Sequence, residues 1–367
     1  GMAGLIVVRG PIDEVPEIKA AREFFVVVQS LNVNPSKTEK GLYEREYIAY
    51  VPKKDGGYSY GTNFTMLTVN GQGVNWIDNS GMDPVLKPLP VPKYDVRPGE
   101  VVRVRLLNGT NGIPLALALP GFTNWMIAFD GVNLEAPKLT DISGANTPIV
   151  NEHNLFTAPY RLAMEGNRIE LLIQAPAQAG SYTLTSLPTH GISDSTYGAM
   201  DLVEFVVSGA PVAMGIPAKL PRPEREYPLV TDADLTGAPR TFRFSEGPND
   251  QLCMGFGFTV NDKLYEMLTC PTTVKRGTCE EWILENDTEE AHPFHIHMIS
   301  FQVEEVAGIK VDSELWDTFI IPPKVDGKIG SLRIRMRFKQ FHGKEVFHCH
   351  ILPHEDTGMM QNFLVLP

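Results

Sequence analysis

Seven of the nine histidines fall between positions 292 and 354, and six of them sit in two short segments. The first segment is His292-Pro293-Phe294-His295-Ile296-His297. The second is Val346-Phe347-His348-Cys349-His350-Ile351-Leu352-Pro353-His354, continued by Glu355-Asp356-Thr357-Gly358-Met359-Met360. If each segment begins as a β-strand, successive side chains point to opposite faces. Cys349 then faces one way, and His348 and His350 face the other. In the first segment His295 and His297 share a face, while His292, an odd number of residues away, points opposite. His292 can therefore join Cys349, with His354 and Met359 following five and ten residues after the cysteine. Two imidazoles, a thiolate and a thioether are the donor set of a blue-copper electron-transfer site. His295, His297, His348 and His350 make a second, all-imidazole group on the other side of the same strand.

Blander readings compete with this one. An isolated His-x-His pair on a strand is more often surface chemistry than a ligand pair, and zinc also accepts Cys and His. A structural zinc site, however, would not need two His-x-His pairs and a methionine at this spacing. His342 stands outside both segments and reads as a loop histidine. Glu355 and Asp356 adjoin His354, where an acid could relay protons. Glu289 and Glu290 precede His292, and a solvated turn suits them better than the edge of a substrate site.

The elements that position these residues belong to a repeat. Val96-Arg97-Pro98-Gly99-Glu100-Val101-Val102-Arg103-Val104-Arg105-Leu106-Leu107-Asn108 returns in pattern as Val274-Lys275-Arg276-Gly277-Thr278-Cys279-Glu280-Glu281-Trp282-Ile283-Leu284-Glu285-Asn286. Upstream, Leu67-Thr68-Val69-Asn70-Gly71 matches Phe258-Thr259-Val260-Asn261-Asp262. Each copy closes alike, with Gly198-Ala199-Met200 before Phe205-Val206-Val207 and Gly358-Met359-Met360 before Phe363-Leu364-Val365-Leu366. Pro211, Pro217, Pro221, Pro223 and Pro228 mark a linker between the copies, because proline lacks the N–H that a central strand needs. Short alternating runs, with Val102, Val104 and Leu106 toward a core and Arg103 and Arg105 outward, suggest an antiparallel β-sandwich. A short helix is expected near Pro84–Leu89. Aligning Pro114 with Pro293 puts Ala116 and Ala118 where His295 and His297 stand. Aligning Leu187-Pro188 with Leu352-Pro353 puts Thr183-Leu184-Thr185 where His348-Cys349-His350 stand. The first copy is thus a copper-free version of the second, and its His153 and His190 read as ordinary histidines.

Bulk composition narrows the function classes. The net charge of -12 and the lack of a basic run exclude nucleic acid as a partner. No apolar stretch is long enough to cross a bilayer. The 29 prolines and 32 glycines suit many strands and turns better than long helices. Four cysteines do not make a disulfide framework. Cys270 and Cys279 could pair in an oxidising compartment, and free thiols are equally compatible.

The two histidine segments resemble the copper motifs of the multicopper oxidases, the family of laccases, ascorbate oxidase and bacterial cuprous oxidases. The likeness extends over the whole chain. It implies an all-β protein with two cupredoxin-like Greek-key β-sandwich domains in tandem: residues 1–10 as the last strand of a further, first domain, 11–218 as a copper-free middle domain, and 219–367 as the copper-carrying domain. It implies that His292, Cys349, His354 and Met359 bind a type 1 copper, His295 a type 2 copper, and His297, His348 and His350 the paired type 3 coppers. Glu355 takes the proton-relay role. Such enzymes take single electrons from a phenolic, amine or metal-ion donor at the type 1 copper, and reduce dioxygen to water at the trinuclear cluster. The resemblance also implies a periplasmic or secreted location. The 13 methionines are scattered, so a methionine-rich specialisation for cuprous ion is unsupported. Family members add two more His-x-His pairs from their first domain, and no histidine precedes His153 here. The expectation is an incomplete cluster in this chain alone, with self-association possible through the face that would meet the first domain. Two alternatives are a copper-binding or electron-transfer module using only the type 1 site, and a two-domain copper nitrite reductase. The histidine directly after the cysteine, His350, weighs against the reductase.

Overall fold

The computed structural model describes the chain apart from residues 1–2, 35–43, 46–49, 53–57, 61–63, 79–83, 141, 143–161, 191–195, 222–227 and 249–255. The chain divides into two compact units, the first ending at Pro223 and the second holding Glu224–Pro367. Both are cupredoxin-like β-sandwiches, and their strand orders match. The smaller sheet of the first unit runs Leu162–Ala163, Leu115–Ala118, Gly180–Leu187, Met200–Val207, Lys93–Val96. In the second unit the order is Thr318–Ile321, His292–Ile296, Gly343–Cys349, Met360–Leu366, Thr272–Lys275. In both, the last pairing is parallel and the others antiparallel. The larger sheets share a centre too. Val101–Gly109 and Cys279–Asn286 each lie between a parallel strand, Arg22–Asn34 or Arg240–Pro248, and an antiparallel one, Arg168–Gln174 or Gly330–Arg337.

The repeated Val-Asn turn has a physical reason. Asn70 (φ 51°) and Asn261 (φ 53°) both adopt the left-handed conformation that asparagine tolerates better than most residues. Each side-chain oxygen accepts a backbone N–H from the neighbouring strand, Val27 at 2.9 Å and Arg243 at 2.8 Å. The amide thus closes the hairpin and pins it sideways to the next strand.

Alternating aromatic residues fill the second sandwich. Trp282, fully buried, lies within 4.6–6.2 Å, centroid to centroid, of Phe242, Phe347, Phe363 and Phe338. Phe347 and Phe363 belong to the smaller sheet and Phe242 and Trp282 to the larger. This cluster joins the two layers directly beneath His348 and Cys349.

Two expectations are corrected here. Residues Val85–Pro88 form a strand, not a helix, and extend the hairpin strand Gln72–Asp78 at the edge of the larger sheet. Pro84, Pro88 and Pro90 would interrupt a helix, whereas a sheet edge tolerates missing N–H donors. Arg103 and Arg105 do point away from the core, yet they are only 2% and 6% exposed. Residues 9–14 cross that face and cover them. Arg103 Nη1 lies 2.7 Å from Asp13 Oδ1, and Arg105 Nη2 lies 3.1 Å from the same oxygen. Glu23 and Glu170 complete the network.

Burial opposes the charge on Asp13. The Gly10 N–H and the guanidinium groups of Arg103 and Arg9 outweigh it, so the carboxyl sits below the usual range. A carboxylate depressed on folding stabilises the fold above its unfolded pKa of about 3.9, and that contribution disappears as the pH falls through the folded value. Asp13→Asn should therefore cost about 1–2 kcal/mol at neutral pH and little at pH 3. Denaturant melts at the two pH values measure this, and an equal loss at both would show that Asp13 acts through shape alone.

Among the described residues, no helix is long and apolar enough to cross a membrane.

Candidate metal centre

The strand Gly343–Cys349 is the positioning element. It pairs with His292–Ile296 so that Phe294 lies opposite Cys349 and His295 opposite His348. Period-two alternation then places His292, two residues before Phe294, on the Cys349 side, and puts His295 on the His348 side. The chain continues past Cys349 into the helix Leu352–Asp356, which starts with Pro353 among its first two residues, where the fixed φ of proline suits the first turn. That turn brings His354 back over Cys349. Gly358 then passes so close to the next hairpin that a Cβ would stand 2.8 Å from the Phe258 carbonyl oxygen and 2.6 Å from Leu264. Met359 follows, fully buried, and its carbonyl accepts the Cys349 N–H at 3.0 Å.

Three donor atoms converge. Cys349 Sγ lies 3.6 Å from His292 Nδ1 and 3.7 Å from His354 Nδ1, and the two nitrogens are 3.2 Å apart. A point equidistant from the three lies about 2.0 Å from each, the length of a metal–imidazole bond and slightly under the ~2.3 Å of a metal–thiolate bond. All three residues are at most 4% exposed. Burial, then the nearness of His354, holds the His292 imidazole well below its usual pKa, so its site-facing nitrogen stays an unprotonated donor. The residues present therefore fit a small, soft, trigonal metal site.

The outer edges of both rings are held as well. His292 Nε2 is 2.8 Å from Thr288 Oγ1, whose own proton is donated to Asn286 Oδ1 at 2.8 Å. That leaves the threonine oxygen to accept from Nε2–H and fixes the tautomer with Nδ1 free for metal. His354 Nε2 lies 3.3 Å from Glu290 Oε2, and Phe258 stacks on the His354 ring at 3.8 Å. The solvated turn expected for Glu289 and Glu290 is half right. Glu289 is exposed, but Glu290 turns inward against His354. Burial, then Glu290 and Glu289, raises the Glu246 pKa, so three carboxyls share this edge.

On the opposite side of the strand the four remaining histidines gather. His295 lies 5.1–5.4 Å, ring to ring, from His297, His348 and His350. His297 Nε2 and His348 Nε2 are 3.2 Å apart, close to the separation of two nitrogens sharing one metal at bonds of about 2.0 Å. His348 Nδ1 reaches the Cys349 carbonyl at 3.0 Å and Glu355 Oε2 at 3.2 Å. Burial, with three histidines nearby, pushes His348 down to about 3, while burial and Asp356 push Glu355 up to about 7. The contact is thus a hydrogen bond from a neutral ring N–H, not an ion pair. His295 Nδ1 lies 2.9 Å from both the Asp317 carbonyl and Thr318 Oγ1.

Seven of the eight sequence-predicted ligands thus gather in two groups on either side of one strand, with Glu355 against the second, while Met359 is buried and meets Cys349 through its backbone carbonyl. His342 is exposed in the loop before that strand. In the first unit the counterpart positions Ile113, Ala116, Ala118 and Leu184 are packed apolar, each at most 3% exposed. Of the two histidines there, His153 lies outside the described residues, and His190 forms a short strand with Thr189. Cys270 and Cys279 are free thiols. Sequence reasoning missed Thr288, Asp317 and Thr318. The repeated Asn-x-Thr at 108–110 and 286–288 was a usable signal for the first, and nothing local pointed to the other two.

Comparison with known proteins agrees with this picture. A family model described as multicopper oxidase matches residues 233–367. The laccase of Bacillus subtilis is 29% identical over 177 residues, covering 44% of this chain and 34% of that protein. The multicopper oxidase of Staphylococcus aureus is 36% identical over 109 residues, covering 28% of this chain and 23% of that one. The matches thus span about a third or less of these relatives' own length. Among solved structures, a variant of the McoA multicopper oxidase from Aquifex aeolicus superposes with a TM-score of 0.67 at 21% identity, covering 96% of this chain and 70% of that one. A multicopper oxidase from Campylobacter jejuni, titled a metallo-oxidase, gives 0.65 at 20% identity, covering 95% of this chain and 65% of that one. At such identities the superpositions speak for the fold, while the matched final unit and its two histidine segments speak for kinship. Over residues 233–367 the chain is similar in sequence to the multicopper oxidases, and over nearly its whole length it shares their fold.

Proposed function

We propose that this chain forms part of a copper-dependent oxidase that draws single electrons from a reducing donor and reduces dioxygen to water. The observation that carries the proposal is the closed triangle of Cys349 Sγ, His292 Nδ1 and His354 Nδ1, set one strand-thickness from four clustered imidazoles. Type 1 copper would be held by His292, Cys349 and His354 with Met359 as a weaker fourth donor, and type 2 and type 3 copper by His295, His297, His348 and His350 together with further ligands. Copper at these positions supplies one-electron redox chemistry and a binding place for dioxygen.

The chain's own residues do the rest. Cys349 joins both groups, because its peptide neighbours are His348 and His350, and the His348 ring also touches the Cys349 carbonyl. Few covalent bonds therefore separate the two groups. Thr288 and Glu290 orient the rings of the first group. Glu355, protonated or ionised near neutral pH, stands against His348 and can hold a proton beside the second group. The carboxyls of Glu246, Glu289 and Glu290 give the outer edge of His354 a negative field, which favours neutral or cationic donors over anionic ones. A periplasmic or secreted location is part of the same proposal.

A second reading, an electron-transfer module that uses only the first group, is favoured by one fact. That triangle closes within a single unit, whereas the four imidazoles alone are too few to hold three coppers. Copper stoichiometry and oxygen uptake separate the two readings. One copper per chain with blue absorption and no oxygen uptake supports the module, and additional copper with donor-driven uptake supports the oxidase. Loading that gave no blue absorption at all would sink both. Met359→Leu should keep the colour and raise the reduction potential, because a weak thioether donor would tune the copper without holding it. A bleached Met359→Leu protein would mean that Met359 holds the metal rather than tunes it.

A further inference from the structure

We infer that Thr318, backed by the carboxylate of Asp317, is a positioning residue for His295. The inference rests on the reading of the four-histidine face as a metal site. His295 stands directly opposite Thr318 in the antiparallel pairing of His292–Ile296 with Thr318–Ile321. Its Nδ1 lies 2.9 Å from Thr318 Oγ1 and 2.9 Å from the Asp317 carbonyl. The Thr318 hydroxyl donates to Asp317 Oδ1 at 2.9 Å. With that proton committed to the carboxylate, the hydroxyl oxygen presents lone pairs to the ring. Both groups facing Nδ1 are therefore acceptors, so Nδ1 carries the ring proton and Nε2 keeps its lone pair toward His297, His348 and His350. This is the carboxylate-supported arrangement that orients metal-binding imidazoles and raises their basicity.

The corner that supplies these groups has its own cause. Leu315–Trp316 pairs with a strand of the larger sheet, and Thr318–Ile321 pairs with His292–Ile296 in the smaller one. The chain changes sheets at Asp317, and its carbonyl accepts both the Ile296 N–H, at 3.2 Å, and the His295 ring. Thr318 is fully buried, so its hydroxyl needs a partner inside the protein.

The internal repeat provides an independent comparison. In the first unit Ala116 takes the place of His295, and its partner across the ladder is Leu162. Imidazole and hydroxyl are replaced together by two buried apolar side chains, 1% and 7% exposed. A threonine serving only the sandwich corner would have no reason to vanish with the histidine.

The test uses the full chain, with Thr318→Val, Thr318→Ser and His295→Ala, and copper(II) as the probe. In the metal-free protein, ring ¹⁵N signals should show His295 protonated at Nδ1, and a signal for protonation at Nε2 would overturn the inference. Copper affinity of the four-histidine face, read by the intensity of its non-blue EPR signal during titration, should fall about 10- to 100-fold in Thr318→Val. Thr318→Ser should restore it, with the thermal midpoint of both variants near that of the parent. A Thr318→Val protein within twofold of the parent, or a Thr318→Ser protein as weak as Thr318→Val, overturns the positioning role. Unchanged affinity in His295→Ala instead overturns the metal-site reading on which it rests.

Discussion

Cys349→Ser should remove the intense blue absorption of the copper-loaded protein completely. The band arises from charge transfer between a thiolate and copper, so it needs a sulfur bonded to the metal. Cys349 Sγ is the sulfur corner of the triangle with His292 and His354, and the residue is fully buried. Cys279 belongs to the opposite sheet, where burial raises its thiol pKa, which makes it a poor substitute. Serine nearly matches cysteine in size but keeps its proton at neutral pH and is a much harder donor. The remaining two imidazoles should therefore hold copper more weakly as well as without colour. Fold damage is separable from ligand loss. The buried hydroxyl costs about 1–3 kcal/mol if it finds no partner, whereas Cys349→Ala leaves no polar group behind. Both variants should be colourless, with the alanine protein melting at least as high as the serine one. Blue colour surviving in either would end the assignment of Cys349.

The two donor groups were legible in the sequence because a β-strand has a period of two. Parity alone separates His292 and Cys349 from His295, His297, His348 and His350, and pairing of two strands in register turns parity into two facing groups. The repeat was legible because Asn70 and Asn261 close the same kind of turn, which calls for the same residue. Local sequence was silent wherever a side chain's surroundings come from a distant segment. Arg103 and Arg105 alternate like solvent-facing residues, and only residues 9–14, some 90 positions upstream, bury them. Glu290 reads as a turn carboxylate until the chain after Cys349 folds His354 against it. Thr318 and Asp317 gain meaning only from being opposite His295. The stretch near Pro84–Leu89, expected to hold a short helix, is instead decided by the hairpin edge beside it, which Val85–Pro88 joins as a strand. The domain limits at 10 and 218 remain a proposal. The second unit holds Glu224–Pro367, and residues 3–10 run without regular secondary structure.

Trp282→Ala should destabilise the second unit by about 3–5 kcal/mol, the usual cost of emptying a large aromatic site in a core. Four phenylalanines, Phe242, Phe338, Phe347 and Phe363, surround the indole, and the side chain is fully buried, so little can collapse into the void without moving both sheets. The indole N–H also donates to Glu280 Oε2 at 2.8 Å. Glu280 keeps Arg240 as a partner at 2.7 Å, so the carboxylate is not stranded and the loss comes mainly from packing. In a unit of this size each kcal/mol corresponds to roughly 2–4 °C, which places the expected fall in melting temperature at about 10 °C. The loss should reach the proposed metal site, because Phe347 shares the indole cluster and is followed immediately by His348 and Cys349. Colour in the loaded protein should therefore disappear at a correspondingly lower temperature, with the absorption below the transition unchanged. Trp282→Phe keeps most of the apolar volume and should recover more than half of the loss. A shift under about 2 °C in Trp282→Ala would mean that the layers are joined elsewhere, and that the aromatic cluster under Cys349 is not what holds the ligand strand in place.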